Sequence, residues 1–408
     1  MPTIVACTQW KFFLSSLIRE KWLFCRLAGS GLAILLVLMT PVALKAQEAW
    51  LLTYGPGEEV WELFGHNAIW IRDQDRDLDH TFSFGYFDLD RPGFHRDFAR
   101  GIMPYYGAAT IAEREFEFYR QRDRSIRAQR LDLSVNQVNQ LTGLLNEAIF
   151  PIPQYYPYDY YLANCSTWLR DMINRVTDQS LEGPLKALPA RLNFRDHTRR
   201  LTAHRFWLHS GIMTLLGPPV DRPISRWDEA FLPESLAESL AGIEIDGKRL
   251  VIEDRQLYES GREAPPSSAT GPWMASLLLG GLSLALLLWS GLTKRARLAG
   301  LVRSSCLLAA GLSGIVIMLM WLVSGHEATW RNAMLMLLNP LWLAFLLPGL
   351  ERLKAGLWWL VLVGVLVGSV YLLMPAGQFR PDQVYWYAPL CAGLLFAVYS
   401  DLAARRSR

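Results

Sequence analysis

The stretch Tyr158-Asp159-Tyr160-Tyr161-Leu162-Ala163-Asn164-Cys165-Ser166-Thr167-Trp168-Leu169-Arg170-Asp171-Met172-Ile173 runs from an aromatic approach into a helix. Trp168, Leu169, Met172, Ile173 and Val176 recur at helical spacing, which places the helix start at Asn164-Cys165. A cysteine in the first helical turn feels the positive end of the helix dipole, which favours thiolate. Its N–H is among the unpaired donors of that turn and can stabilise an oxyanion. Lone cysteines are more often small buried hydrophobes. The helix N-terminus, together with the export argued below, favours a nucleophile at Cys165. In an oxidising compartment this thiol has no disulfide partner within its own domain.

Toward the N-terminus, residues 50–54 are short and apolar, and Gly55-Pro56-Gly57-Glu58-Glu59 is a turn. The run Val60-Trp61-Glu62-Leu63-Phe64-Gly65-His66-Asn67-Ala68-Ile69-Trp70-Ile71-Arg72 alternates in its later part and is rich in aromatic and branched residues, so it reads as a strand. Further strands are expected at 81–87 and 126–133. Ser134 with Gln137 three residues on forms a capping box, followed by a helical face of Val138, Leu141, Leu144 and Leu145. Strands followed by helices predict a mixed α+β domain. Gly65 before His66 lets other backbone or a substrate approach, which makes His66 the candidate base for Cys165. His80, His95, His197, His204 and His209 compete on composition alone. The chain has neither an HExxH motif nor paired cysteines, so no metal or cofactor is expected.

The 408 residues carry Lys+Arg 41 against Asp+Glu 38, a balance that argues against a nucleic-acid partner. Charge and hydropathy divide the chain. Residues 1–46 combine Lys11, Arg19, Lys21 and Arg26 with an apolar run over 27–44, a signal sequence that is either cleaved near Ala46 or kept as an anchor. Residues 47–262 form a charged globular domain. Residues 263–271, with Ala264-Pro265-Pro266-Ser267-Ser268, form a stiff linker. Residues 272–408 form a bundle of about five spans, expected at Trp273–Leu292, 298–323, 333–350, 357–374 and 389–402. The third and fifth are short for a bilayer core of about 30 Å, so they are re-entrant or tilted. Lys294, Arg295 and Arg297, then Arg352 and Lys354, then Arg405, Arg406 and Arg408 mark the cytoplasmic ends. That topology, like the N-terminal signal, places the globular domain outside. Arg303 is expected to snorkel toward the cytoplasmic side.

The order of a Gly-His strand, a polar residue on the next strand and an Asn-Cys helix start resembles a circularly permuted papain-like fold of the NlpC type. More closely, Leu52-Thr53-Tyr54-Gly55-Pro56-Gly57, Leu63-Phe64-Gly65-His66-Asn67-Ala68, Phe82-Ser83-Phe84-Gly85 and Asn164-Cys165-Ser166-Thr167 with Arg170-Asp171 resemble the periplasmic domain of the bacterial lipoprotein N-acyltransferase family Lnb. The several C-terminal spans fit that family's layout. The resemblance implies a bacterial inner-membrane enzyme that moves a fatty acyl chain from a phospholipid to the N-terminal amine of a diacylglyceryl lipoprotein. It implies Cys165 as nucleophile and His66 as base. Ser83 is the expected orienter of the imidazole, with Asp79 and His80 as alternatives, and Tyr54 and Asn164 belong to the oxyanion and substrate side. Two other readings use the same residues: a membrane-anchored papain-like cysteine hydrolase acting on peptidoglycan, and a non-catalytic envelope binding or assembly protein. The spans show no internal repeat and almost no charge, which disfavours a transporter.

Overall fold

The structure, a computed structural model, describes residues 47–151, 154–268, 270–293, 296–374 and 380–406. The N-terminal signal with Cys7 and Cys25, and the basic residues Lys294, Arg295 and Arg408, lie outside the described residues.

Seven strands form one antiparallel sheet: β1 (Glu48–Tyr54), β2 (His66–Asp73), β3 (Leu78–Tyr86), β4 (Pro104–Ile111), β5 (Ile126–Leu131), β6 (Tyr155–Pro157) and β7 (Val251–Tyr258). Their spatial order is β6-β4-β3-β2-β1-β5-β7. Near the centre, β1 is buried on both faces, and its side chains divide by the period of two. Ala49 and Leu51 point to the face covered by helix α3 (Val135–Ile149) and helix α4 (Cys165–Val176). Trp50, Leu52 and Tyr54 point to the opposite face, covered by α2 (Ala112–Gln121). Leu51, Ile69, Leu141, Leu145, Leu169 and Ile173 are fully buried on the first face. Each such side chain contributes about 1.5–3 kcal/mol of transfer free energy, so this packing fixes α4 against the sheet. The short helix α1 (Phe94–Ala99) sits between β3 and β4. Ser134 caps α3 with the expected reciprocal bonds to Gln137.

The C-terminal region holds four helices long and apolar enough to cross a membrane, so the chain is an α+β domain followed by a helical membrane region. They are α7 (Trp273–Leu292), α8 (Ala296–Leu322), α9 (Glu351–Leu373) and α10 (Pro381–Arg406). Small residues let α7 and α10 approach closely: Gly280 faces the Tyr385 carbonyl and Gly393 faces Leu287. The last helix begins at Pro381, earlier than expected, with Pro389 inside it.

The third expected span differs from a membrane helix. Ala333–Met336 and Pro340–Leu346 are 3-10 helices. They run antiparallel to α8: Thr329 bonds the Met320 carbonyl, Asn339 faces Gly314 and Leu343 faces Gly311. Phe345 then shares a small hollow with Arg303, Lys354 and Asp401, at the end where α8 and α9 begin. Thr329 and Phe345 thus stand beside Met320 and Arg303, which lie about 26 Å apart along α8 at about 1.5 Å per residue, so this stretch follows α8 over about the depth of a bilayer core. At the same end, Arg303 pairs with Asp401 at 3.5 Å.

The domain and the bundle meet through buried charge. Helices α5 (Phe194–Thr202) and α6 (Phe206–Leu215) supply the domain side. Arg380 is fully buried, donating to Asn332 Oδ1 at 3.0 Å and to the Leu216 carbonyl. Arg195 pairs with Asp221 and also donates to the Gly217 carbonyl at 2.9 Å. Asp382 receives Arg199 at 3.5 Å and His209 at 3.4 Å. The Gly217 N–H donates to the Ala328 carbonyl at 2.7 Å, and a Cβ on Gly217 would collide with the Trp330 carbonyl.

Candidate active site

Gly65 turns the chain into β2 with φ +80°, and a Cβ there would come 2.8 Å from the Tyr54 carbonyl. Only glycine fits that conformation without strain. The turn sets Tyr54 opposite His66 in the β1–β2 register. Pairing between β2 and β3 stops at Ala68–Ser83. Beyond that point the N-terminus of α4 packs over the strand ends.

Asn67, fully buried, fixes this packing. Its amide donates to the Leu52 carbonyl and to Thr53 Oγ1, both at 3.0 Å, and its Oδ1 accepts from Ser166 Oγ at 2.8 Å. That last bond joins residues 99 positions apart. The Asn67 N–H in turn reaches the Cys165 sulfur. The thiol therefore lies beside the residue that follows His66. It is 9 % exposed, with Ser166 Oγ 3.8 Å away. On its other side Gly85, at φ +97°, leaves a gap: a Cβ there would sit 3.9 Å from the Cys165 Cβ and 3.6 Å from the Tyr158 ring.

Each sequence-predicted residue makes its own set of contacts. Asn164 is the helix N-cap. Its Oδ1 accepts from the N–H groups of Ser166 and Thr167 at 3.0 Å each, and its amide donates to the Tyr160 and Phe231 carbonyls at 2.9 Å each. Both amide donations are thus occupied inside the protein, and Asn164 positions the helix start. Ser83 is fully buried and donates to Glu115 Oε1 at 3.3 Å, not to the imidazole. Among the described residues, His66 makes no side-chain hydrogen bond. Its ring instead lies parallel to Tyr54, with centroids 6.1 Å apart, and to Tyr119 at 6.5 Å. Tyr54 and Tyr119 stack at 3.6 Å, and the Arg124 guanidinium caps Tyr119 at 4.7 Å. Asp79 and His80 pair with Arg72 and Ile71, at the far end of β2 from His66. His197 pairs with Glu229 and His209 with Asp382, both away from the thiol.

Glu115 was missed by sequence reasoning. It is 4 % exposed, on α2, and accepts from Thr81 Oγ1 as well as from Ser83. Burial raises its pKa despite these donors. The buried Tyr54 hydroxyl lies beside it, and burial followed by the Glu115 charge pushes that phenol well above its ordinary range. The available signal was spacing: Ala112, Glu115, Phe116 and Tyr119 share one helical face, which puts an acid on the buried stripe.

The thiolate expected from the helix dipole is not the resting form. Burial raises the Cys165 pKa, outweighing the N–H groups of Asn67, Ser166 and Cys165 and the Ser166 hydroxyl, all of which favour the anion. Burial and then the Arg124 charge push His66 down to about 3. At neutral pH Cys165 is therefore a thiol and His66 a neutral imidazole. Among the described residues, no group of three His, Cys, Asp or Glu side chains is arranged to hold a metal ion.

Two family models match the chain, the Lnb N-terminal periplasmic domain over residues 41–202 and the Lnb transmembrane domain over residues 265–399. The chain belongs to the Lnb family. His66, Ser83, Glu115 and Cys165 all fall within the match to the Lnb periplasmic domain, and the 3-10 crossing falls within the match to the Lnb transmembrane domain. Strand β7 lies outside both matched stretches yet completes the sheet beside β5. No curated protein and no solved structure matches the chain. Membership of the Lnb family makes this a membrane protein with a periplasmic domain, of lipoprotein N-acyltransferase type.

Proposed function

We propose that the protein is a thiol acyltransferase of the bacterial inner membrane, moving a fatty acyl chain from a phospholipid to the N-terminal amine of a diacylglyceryl lipoprotein. The observation that carries this reading is the thiol of Cys165 at a capped helix N-terminus, beside the strand that begins with His66. The two lie in a periplasmic domain tied to its own membrane bundle.

In the first half-reaction His66 takes the thiol proton as sulfur attacks the ester carbonyl of the phospholipid. The oxyanion meets the Cys165 N–H, while the Tyr54 hydroxyl stays buried beside Glu115. The ester C–O bond breaks, and the leaving alcohol takes the proton from His66, giving lysophospholipid and an acyl thioester. In the second half, the lipoprotein amine attacks the thioester while His66 accepts its proton. The C–S bond breaks, the amide forms, and the proton returns to sulfur. This is ping-pong chemistry with one covalent intermediate. The low basicity of His66 keeps the ion pair unpopulated until a carbonyl is in place. Glu115, held by Thr81 and Ser83, supports the Tyr54 side of the ring stack. The aromatic surroundings exclude water, which would otherwise hydrolyse the thioester.

The test is mass spectrometry of lipoprotein N-termini from cells with the wild-type protein, without it, and with Cys165→Ala. The triacyl form is expected only with wild type. Identical diacyl and triacyl proportions in all three would refute the proposal, and an acyl group trapped on Cys165 separates a transferase from a peptidoglycan hydrolase.

A further inference from the structure

The domain carries a belt of exposed apolar side chains where it meets the bundle. α8 ends at Leu322, and the chain then touches the segment that contains α1: the Gly325 N–H donates to the Arg100 carbonyl at 2.8 Å, and His326 Nε2 bonds the Phe98 carbonyl at 2.7 Å. These contacts set Phe98 and Ile102 at the level where α8 leaves the bilayer. Phe98 is 39 % and Ile102 48 % exposed, and Leu322 and Val323 beside them are bare on the lipid side. The belt is thus continuous with the membrane-facing surface of the bundle.

It also leads to the thiol. Met103, next to Ile102, accepts the Tyr158 N–H at 2.9 Å, and the Tyr158 ring borders the gap at Gly85 beside Cys165. Leu162, 57 % exposed, stands in the turn just before Cys165. On the histidine side, Trp61 is 53 % exposed and packs edge-on against Phe87, which stacks on Phe94, which stacks on Phe98. His326 from the bundle closes the circuit by stacking on Tyr160 at 5.8 Å. Exposed apolar side chains grouped at the level where a helix leaves the bilayer mark a contact site, and aromatic residues there favour the bilayer interface.

We propose that Phe98, Ile102, Leu162 and Trp61 form an interfacial bed that sinks into the outer leaflet and guides one phospholipid acyl chain from the bilayer past Tyr158 to Cys165. This rests on the acyl-transfer reading and adds where the donor lipid enters.

The experiment uses the full chain reconstituted in phosphatidylethanolamine–phosphatidylglycerol vesicles. It compares the rate at which Cys165 is acylated by vesicle phospholipid with the rate for a water-soluble p-nitrophenyl butyrate. Ile102→Asp and Leu162→Asp are each expected to lower the ratio of the two rates by about tenfold or more, since each removes one buried apolar side chain from the lipid contact. Ile252→Asp, on the exposed face of β7, is expected to leave the ratio at the wild-type value. A wild-type ratio in both belt variants, with thermal midpoints that show them folded, overturns the proposal and leaves acyl transfer standing. A wild-type protein that takes the butyrate but no phospholipid acyl chain overturns the transfer reading itself.

Discussion

Replacing Asn67 by Ala tests whether one side chain sets the thiol against the histidine strand. The substitution removes two donations to β1 and one acceptance from Ser166, all in a fully buried position. At a net value of about 1 kcal/mol each, the loss is about 3 kcal/mol, with only the Cys165 sulfur, 3.8 Å away, left as partner to the buried Ser166 hydroxyl. This affects local opening of the α4 N-terminus more than global unfolding, because the apolar face of α4 stays packed. Hydrogen–deuterium exchange of the full chain in detergent, read on peptides covering residues 164–170, is the direct assay. Protection there is expected to fall about a hundredfold in Asn67→Ala. In Ser166→Ala, which removes the bond to Asn67 and the weak contact with the Cys165 sulfur, it should fall only about fivefold. If Asn67→Ala kept protection within about threefold of wild type, the bond accounting would be refuted and apolar packing alone would hold the helix in place.

The resting thiol makes a pH prediction: iodoacetamide alkylation of Cys165 should climb about tenfold per pH unit through neutrality, with no plateau at neutral pH, and a plateau near pH 6 would reveal a resting ion pair instead. Gly85→Ala forces φ +97° on a residue with a Cβ and aims that Cβ at Cys165; strain of about 1–2 kcal/mol should slow thioester formation about tenfold, measured by acyl trapping. Arg380→Met leaves Asn332 Oδ1 and the Leu216 carbonyl without this donor. Breaking such a buried network costs about 3–5 kcal/mol, so the thermal midpoint in detergent should drop by roughly 10 °C.

The α4 start was legible because its signals are local: a cap, a reciprocal Thr167 and apolar residues at helical spacing all lie within a few positions. The strands bearing Ala68 and Ser83 were legible for the same reason. Strand β4 was not, since Pro104 and Gly107 read as turn residues until β3 and β6 pair on either side. Strand β7 carries Glu253, Asp254, Arg255 and Gln256 in sequence and sits at the sheet edge, where solvent exposure erases the alternation. Cys165 and His66 could be put forward as candidates from residue type and context. The work of Asn67 could not, because its partners come from β1 and from a helix far along the chain. The thiolate expectation failed for a related reason: a helix dipole is visible in sequence, whereas the desolvation that outweighs it depends on the packed tertiary structure. Hydropathy marked the apolar stretch at 333–350 but not its winding into two 3-10 turns, since apolar composition is the same for either helix type.

The 3-10 passage bears on how the protein is made. A stretch this short offers a translocon too few apolar residues to partition into lipid unaided. Met334, Leu337, Leu338 and Trp342 are buried against neighbouring helices rather than turned to lipid. Its backbone geometry also departs from the fully paired α-helix that a segment needs to stand alone in hydrocarbon. A stretch whose buried face is made by its neighbours holds its place only with them, which ties its insertion to assembly of the bundle.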